Sequence, residues 1–124
     1  KSTTFTPEER VAMLREVLPK DPRLSVTAFK GLVVDFCRAQ GIGAVLRGVR
    51  TISDFEYEYQ MALTNRHLAP GIETVFVMPS VQYSYVSSSL IREIVRNGGD
   101  ASSFVPGPVE RALRERLRPT PSRS

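Results

Sequence analysis

Apolar positions along the chain recur mostly at helical spacing, interrupted by a few short runs of strand-like pattern. Val11, Leu14 and Leu18 share one face of a first predicted helix, with Val17 beside them. Thr6-Pro7-Glu8-Glu9 marks its start, because Thr6 can cap, Pro7 suits the first helical position and Glu9 completes a capping box. Pro19 and Pro22 stop it. Leu24 to Phe29 alternates and predicts a strand. A helix follows from about Gly31 to Gln40, with Leu32, Val33, Phe36 and Cys37 inward and Gly41 and Gly43 closing it. Ala44 to Leu46 predicts a short buried strand that runs into Arg47-Gly48. Ser53-Asp54-Phe55-Glu56 reads as a second capping box and opens the longest helix, with Phe55, Tyr59, Ala62 and Leu63 along one stripe. Thr74 to Met78 is nearly continuous in apolar residues, the pattern of a central parallel strand, and Pro79 ends it. Three serines then lead into a helix with Leu90, Ile91, Ile94 and Val95 inward and Arg92, Glu93 and Arg96 outward. Val109 to Leu117 is a last amphipathic helix.

Strands separated by helices of this length imply parallel pairing with right-handed crossovers, an α/β class of the doubly wound kind. The expected organisation is one domain over residues 1–117 and a polar, proline-containing tail over 118–124. The chain has no internal repeat. A doubly wound fold usually opens on a strand, whereas this chain opens on a helix.

Composition adds limits. A chain of 124 residues is long enough for one hydrophobic core, and 41% hydrophobic with 24% charged residues is the balance of a globular protein. No apolar run approaches the length of a membrane span, and no N-terminal stretch has the pattern of a signal peptide. Cys37 is the one cysteine, so an internal disulfide is excluded and a reducing, cytoplasmic setting fits. The net charge of +4 suits either nucleic acid or a small anion such as a nucleotide. The basic residues are interleaved with acids, as in Arg111 to Arg118, which disfavours a nucleic-acid footprint.

Ligands of open α/β sheets bind at the carboxyl ends of strands, so the loops there carry the candidate chemistry. After Leu46 come Arg47-Gly48-Val49-Arg50: two guanidinium groups suited to forked bonds with phosphate, and a glycine that permits close approach. The competing reading is a surface loop whose arginines pair with Asp54 or Glu56. Asp54 and Glu58 on the next helix could bond a ribose hydroxyl or orient an arginine; a solvated helix face is the blander alternative. After Met78, Ser87, Ser88 and Ser89 stand at a helix N-terminus, where unpaired N–H groups and the helix dipole favour an anion. One serine suffices as a cap; the other two can donate to an anion or do nothing. Arg92 is one turn on. Tyr83 and Tyr85 are packing residues or base-stacking platforms. Two anion-binding devices after successive strands suggest a polyphosphate held by two loops. His67 is read as a partner of a helix C-terminus, and no histidine or cysteine cluster supports a structural metal site.

The segments Leu46 to Glu58, Asn65 to Leu68 and Ser84 to Arg92, with Phe5 to Arg10, Gly98 to Asp100 and Phe104 to Pro106, resemble bacterial phosphopantetheine adenylyltransferases. The resemblance runs over nearly the whole chain. It implies a Rossmann-like fold of the nucleotidyltransferase type and transfer of AMP from ATP to 4'-phosphopantetheine. The products would be dephospho-coenzyme A and pyrophosphate, in the penultimate step of coenzyme A biosynthesis, with magnesium accompanying ATP. Coenzyme A is implied as a product-like ligand, a homohexamer as the assembly, and neither nucleic acid nor membrane as a partner.

By position, the resemblance implies that Lys1 contacts phosphates of both ligands and that Arg47 and Val33 contact phosphopantetheine. Gly48, Val49, Arg50 and Glu58 match ATP-site positions, as do Tyr83, Ser84, Tyr85, Val86, Ser87, Ser88 and Ser89. Lys1 and Arg50 are the implied catalytic cations. The family's Thr/His-x-Gly-His motif, whose histidine stabilises the transition state, does not occur in the sequence, and the match starts at Lys1. The fold is therefore expected to be N-terminally incomplete and the chain alone to lack turnover. The alternative expectation is a non-catalytic nucleotide- or coenzyme A-binding fragment of that enzyme.

Overall fold

The computed structural model describes residues 3–118; Lys1 and the tail beyond Arg118 lie outside the described residues. The chain order is α1 (Pro7–Val17), α2 (Val33–Gln40), β1 (Ala44–Gly48), α3 (Ile52–Leu68), β2 (Glu73–Val77), a single 3-10 turn (Val81–Tyr83), α4 (Ser88–Arg96) and α5 (Gly107–Leu117). These elements fall into two units. One is Phe29–Tyr85; the other joins the described residues up to Ala28 with those from Val86 onward.

Within Phe29–Tyr85, β1 and β2 pair in parallel, in a register running from Ala44 opposite Glu73 to Gly48 opposite Val77. A parallel pair needs a crossover, and the 17 residues of α3 supply it. Bonds from Glu73 N–H to Gly43 O (3.0 Å) and from Val49 N–H to Val77 O (2.9 Å) extend the ladder at both ends. The sheet expected from the pattern thus forms as an α/β parallel pair. α2 buries Val34 and Cys37 against Ala69 and Ile72, with Val33 and Val45 at the margin. Gly41 ends α2 with φ of 69°, a left-handed cap that glycine adopts without strain.

Four local expectations need correction. Leu24 to Phe29 is not a strand. Asp21 takes the start of that segment into a turn, accepting from Arg23 N–H at 2.8 Å while its own carbonyl accepts from Leu24 N–H at 2.9 Å. Arg15 Nη2 donates to the Val26 carbonyl at 3.1 Å, occupying a group a ladder would use. Phe29 stacks on Phe36 of α2, with ring centroids 4.5 Å apart. Leu32 is the exposed N-cap of α2 and not a core residue. β1 is not buried: Leu46 is 66% exposed, and Val75 and Val77, which share its face of the two-stranded ladder, are exposed too. Lastly, α3 is capped by Thr51, whose hydroxyl accepts from Asp54 N–H at 3.0 Å, so Ser53 lies inside the helix.

In the other unit, α1 starts as its motif requires: Thr6 Oγ1 accepts from Glu9 N–H at 3.1 Å and Glu9 Oε1 accepts from Thr6 N–H at 3.4 Å. Its Leu14 stays exposed. α4 and α5 enclose a core of Ile91, Val95, Ala101 and Leu113, flanked by Phe5, Val86 and Phe104. The buried Ile, Val and Leu side chains contribute roughly 1.5–3 kcal/mol each by leaving water. Gly99 is required after α4, since a Cβ there would come within 2.8 Å of the Ile94 Cγ2 atom. Arg116 of α5 fastens the start of the segment, donating to Thr4 O at 2.8 Å and to Glu9 Oε2 at 2.6 Å, with its guanidinium 5.3 Å from the Phe5 ring centroid. No helix among the described residues is long and apolar enough to cross a membrane.

Candidate functional site

The β1 register decides which way the first arginine faces. Arg47 is paired with Phe76, and residues paired across a parallel ladder share a face. Phe76 meets Phe55 of α3 edge-on at 5.7 Å, so this is the face that α3 covers. On α3, Asp54 and Glu58 stand four residues apart and therefore on one side. Glu58 grips Arg47 with both oxygens: Nε donates to Oε2 at 2.9 Å and Nη2 to Oε1 at 2.8 Å. Asp54 Oδ2 accepts from the Arg50 backbone N–H at 3.2 Å and lies 3.3 Å from Arg50 Nε. Both arginines of the loop are thus held by consecutive turns of one helix.

Pairing of these arginines with α3 was one of the two readings of the loop, but with Asp54 or Glu56 as partners. Glu58 is the second partner. Glu56, two residues from Asp54, points roughly 200° around the helix and stays exposed. The Glu58 side chain is only 12% exposed, whereas Arg47 remains 53% exposed. The forked bond from Arg47 holds the Glu58 carboxyl below its ordinary 4.5, against the opposing push of partial burial and the Asp54 charge. The same bond raises the Arg47 guanidinium further above its ordinary range.

The rest of the loop is ordered by the ladder. Gly48 is the last residue of β1, and an added Cβ there would meet nothing within 4 Å. Val49 is buried and its N–H is engaged by Val77, so any ligand contact from Val49 would have to use its carbonyl. Val33 opens α2 and packs at the edge of the Val34 cluster. Tyr83 and Tyr85 are exposed, and the Ser84 hydroxyl bonds locally to Val81 O at 2.9 Å.

The serines belong to the other unit, and each does something different. Ser87 is the cap of α4, its Oγ accepting from Leu90 N–H at 3.2 Å. Ser89 Oγ accepts from Arg92 Nη2 at 3.3 Å. The Ser88 hydroxyl is exposed and makes no side-chain bond to another described residue. The helix leaves the N–H groups of its first residues without an internal acceptor. Val86 anchors this turn by packing on the Ile91 cluster. His67 lies in the last turn of α3, as expected.

Elsewhere, a cavity of about 680 Å³ lies at the end of α1, lined by Arg15, Leu18, Lys20, Asp21, Leu24 and Val26 among others. None of the candidate site residues lines it. Among the described residues no group of three or more histidine, cysteine, aspartate or glutamate side chains could hold a metal ion. Two features escaped the sequence reading: the Thr51 cap and the Arg116 clasp. Thr51 was legible, since Thr51-x-x-Asp54 is itself a capping pattern. Arg116 was not, because its partners lie more than 100 residues away.

A family-wide sequence profile described as cytidylyltransferase-like matches residues 1–94, which include both the arginine loop and the serine turn. The chain is 52% identical over 117 residues to the phosphopantetheine adenylyltransferase of Desulforudis audaxviator (strain MP104C), covering 94% of this chain and 72% of that protein. It is 52% identical over 118 residues to the namesake protein of Thiobacillus denitrificans (strain ATCC 25259 / T1), covering 95% and 74%.

The chain belongs to the phosphopantetheine adenylyltransferase family.

A third member, from Opitutus terrae (strain DSM 11246 / JCM 15787 / PB90-1), is 51% identical over 113 residues, covering 91% of this chain and 71% of that protein. The parallel strand pair with its helical crossover agrees with the Rossmann-like α/β class of the nucleotidyltransferases.

Proposed function

We propose that this chain carries out the reaction for which its relatives are named: it transfers AMP from ATP to 4'-phosphopantetheine. Dephospho-coenzyme A and pyrophosphate are the products, and the step is the penultimate one of coenzyme A biosynthesis. A phosphate oxygen of phosphopantetheine attacks the α-phosphorus of ATP, a new P–O bond forms, and the bond to pyrophosphate breaks. Such a transfer needs positioning and charge neutralisation more than covalent catalysis.

The observation that carries the reading is the arginine loop at the carboxyl end of β1, with its guanidinium groups fixed by α3. In that loop Arg47 takes the phosphate of phosphopantetheine, with Val33 beside the same ligand. Gly48, Val49 and Arg50 contact ATP. In the other unit, Ser87, Ser88 and Ser89 offer hydroxyls and helix N–H groups suited to ATP phosphates. Lys1, outside the described residues, is proposed as a further phosphate contact. Magnesium is proposed as the companion of ATP's phosphates. A homohexamer in the cytoplasm, with coenzyme A as a product-like ligand, completes the proposal.

The test is pyrophosphate release from ATP by the protein that carries this chain, with and without 4'-phosphopantetheine. Release that depends on phosphopantetheine, with dephospho-coenzyme A as product, is the expected result. Binding of dephospho-coenzyme A without any release would favour a non-catalytic binding fragment. Absence of both binding and release would overturn the reading.

A further inference from the structure

We propose that Arg116, in the last turn of α5, is a positioning residue for Lys1: it fixes the backbone at Thr4, three residues after Lys1, and so sets where the Lys1 ammonium meets phosphate. This rests on the reading of Lys1 as a phosphate contact. A lysine carries its charge at the end of a flexible four-carbon stem, and its ammonium has no planar fork for a neighbouring carboxylate to grip. Its placement is therefore governed by the backbone from which it springs. Three residues of extended chain span at most about 11 Å, so the point at which Thr4 is held bounds the reach of Lys1.

Thr4, Phe5 and Thr6 are each held by a different contact. The Thr4 carbonyl accepts from Arg116 Nη1 at 2.8 Å. The Phe5 ring packs on the Ile91 and Val95 cluster and lies against the same guanidinium, 5.3 Å from centroid to Cζ. Thr6 is locked by its reciprocal bonds with Glu9. Glu9 in turn aims the guanidinium: its Oε2 accepts from Arg116 Nη2 at 2.6 Å, and this bond holds the Glu9 carboxyl below its ordinary value. The Thr4 carbonyl lies before α1, outside its helical ladder. The Arg116 and Glu9 side chains stay 48% and 36% exposed, and ion pairs as open as this add little to stability. What the clasp does achieve is to order the chain that leads to Lys1. Val86, next to the first serine of the turn, packs on the same cluster as Phe5. One core therefore ties down both the segment that leads to Lys1 and the turn that bears Ser87, Ser88 and Ser89.

The experiment is a double-mutant cycle on Lys1→Ala and Arg116→Ala in the full protein, reading kcat and the KM of each substrate beside thermal melting. Arg116→Ala should lower kcat by about 10- to 100-fold, the range for a misplaced contact, with the melting temperature nearly unchanged. In a Lys1→Ala background the same change should add less than about twofold. Arg116→Lys keeps a donor for the Thr4 carbonyl but cannot fork to Glu9 as well, so it should recover part of kcat. It also carries the cycle if Arg116→Ala folds poorly. Additive losses in the cycle, or a fall in melting temperature with unaltered kcat, would overturn the proposal. Normal kinetics of Lys1→Ala alone would overturn it by another route, removing the reading of Lys1 on which it stands.

Discussion

The loop after β1 and the turn before α4 both present donors suited to phosphate, yet they hold them by different means. In the loop the donors are at the tips of long side chains, and Arg47 and Arg50 are fixed by Glu58 and Asp54. In the turn the donors are backbone N–H groups and short hydroxyls, fixed by the helix itself and by one capping bond from Leu90 N–H to Ser87 Oγ. A long donor needs a partner before it can recognise anything, because its torsional freedom otherwise opposes binding. A backbone donor at a helix end is ordered as soon as the helix forms. The loop therefore depends on tertiary contacts, whereas the turn is close to self-sufficient.

The sharpest way to break this comparison is at Arg47. Arg47→Ala should reduce kcat/KM for 4'-phosphopantetheine by the equivalent of about 2–5 kcal/mol, the cost of losing a charge-assisted bond once the bound phosphate covers the half-exposed guanidinium. Arg23→Ala is the control, since the Arg23 side chain is 87% exposed and, among the described residues, pairs only with Asp21. Equal, small losses in steady-state kinetics for both variants would remove the loop from the site.

Next in size is the paired change Ser88→Ala with Ser89→Ala. Hydroxyl bonds to a charged phosphate are worth roughly 1.5–3 kcal/mol, so ATP affinity should fall by about that much. The melting temperature without ligand should hardly move, because neither hydroxyl caps the helix. A lowered melting point with unaltered ATP titration would assign these serines to structure alone.

Smaller still is the loss of a cap. Ser87→Ala and Thr51→Ala should each cost about 0.5–2 kcal/mol of stability, measured by denaturant titration. The comparison becomes sharper if Thr51→Ala also weakens phosphopantetheine binding, since Thr51 and Asp54 together set the start of the helix that holds both arginines.

The smallest effect separates the two regions by pH. Arg47 depresses the Glu58 pKa below 4.5, so the unfolded chain binds this proton more readily than the folded one. The stabilisation from the pair is present above 4.5 and is lost as pH falls through the lower folded value. Thermal melting of the native protein and of Glu58→Gln should therefore differ by a constant amount at neutral pH and converge below 4.5. The hydroxyls and amides of the serine turn do not titrate there, so the gap between native and Ser87→Ala should persist through the same range. A gap that closed for Ser87→Ala as well would point to general acid unfolding and not to the ion pair.

Much of this was legible in local pattern. The capping box at Thr6, the closure of α2 at Gly41, the amphipathic faces of α4 and α5 and the cap at the serines all follow from residues within one or two turns of each other. The Arg-Gly-x-Arg loop was legible as a phosphate candidate for the same reason. Two of the errors share another cause. Leu24 to Phe29 has a strand's alternation, but a strand exists only when its N–H and C=O groups find a ladder, and the Val26 carbonyl bonds to Arg15 instead. Leu46 has a core residue's character, but burial depends on what covers the face.

The sequence by itself determined which segments form helices, that the strands run parallel, and which residues carry anion-binding chemistry, since these depend on neighbours along the chain and on intrinsic side-chain chemistry. Only the tertiary structure decided which carboxylate meets which arginine, and that Arg116 clasps Thr4 and Glu9. Those pairings are fixed by strand register and helix phase across 11 residues in one case and 107 in the other, distances over which no local spacing rule operates.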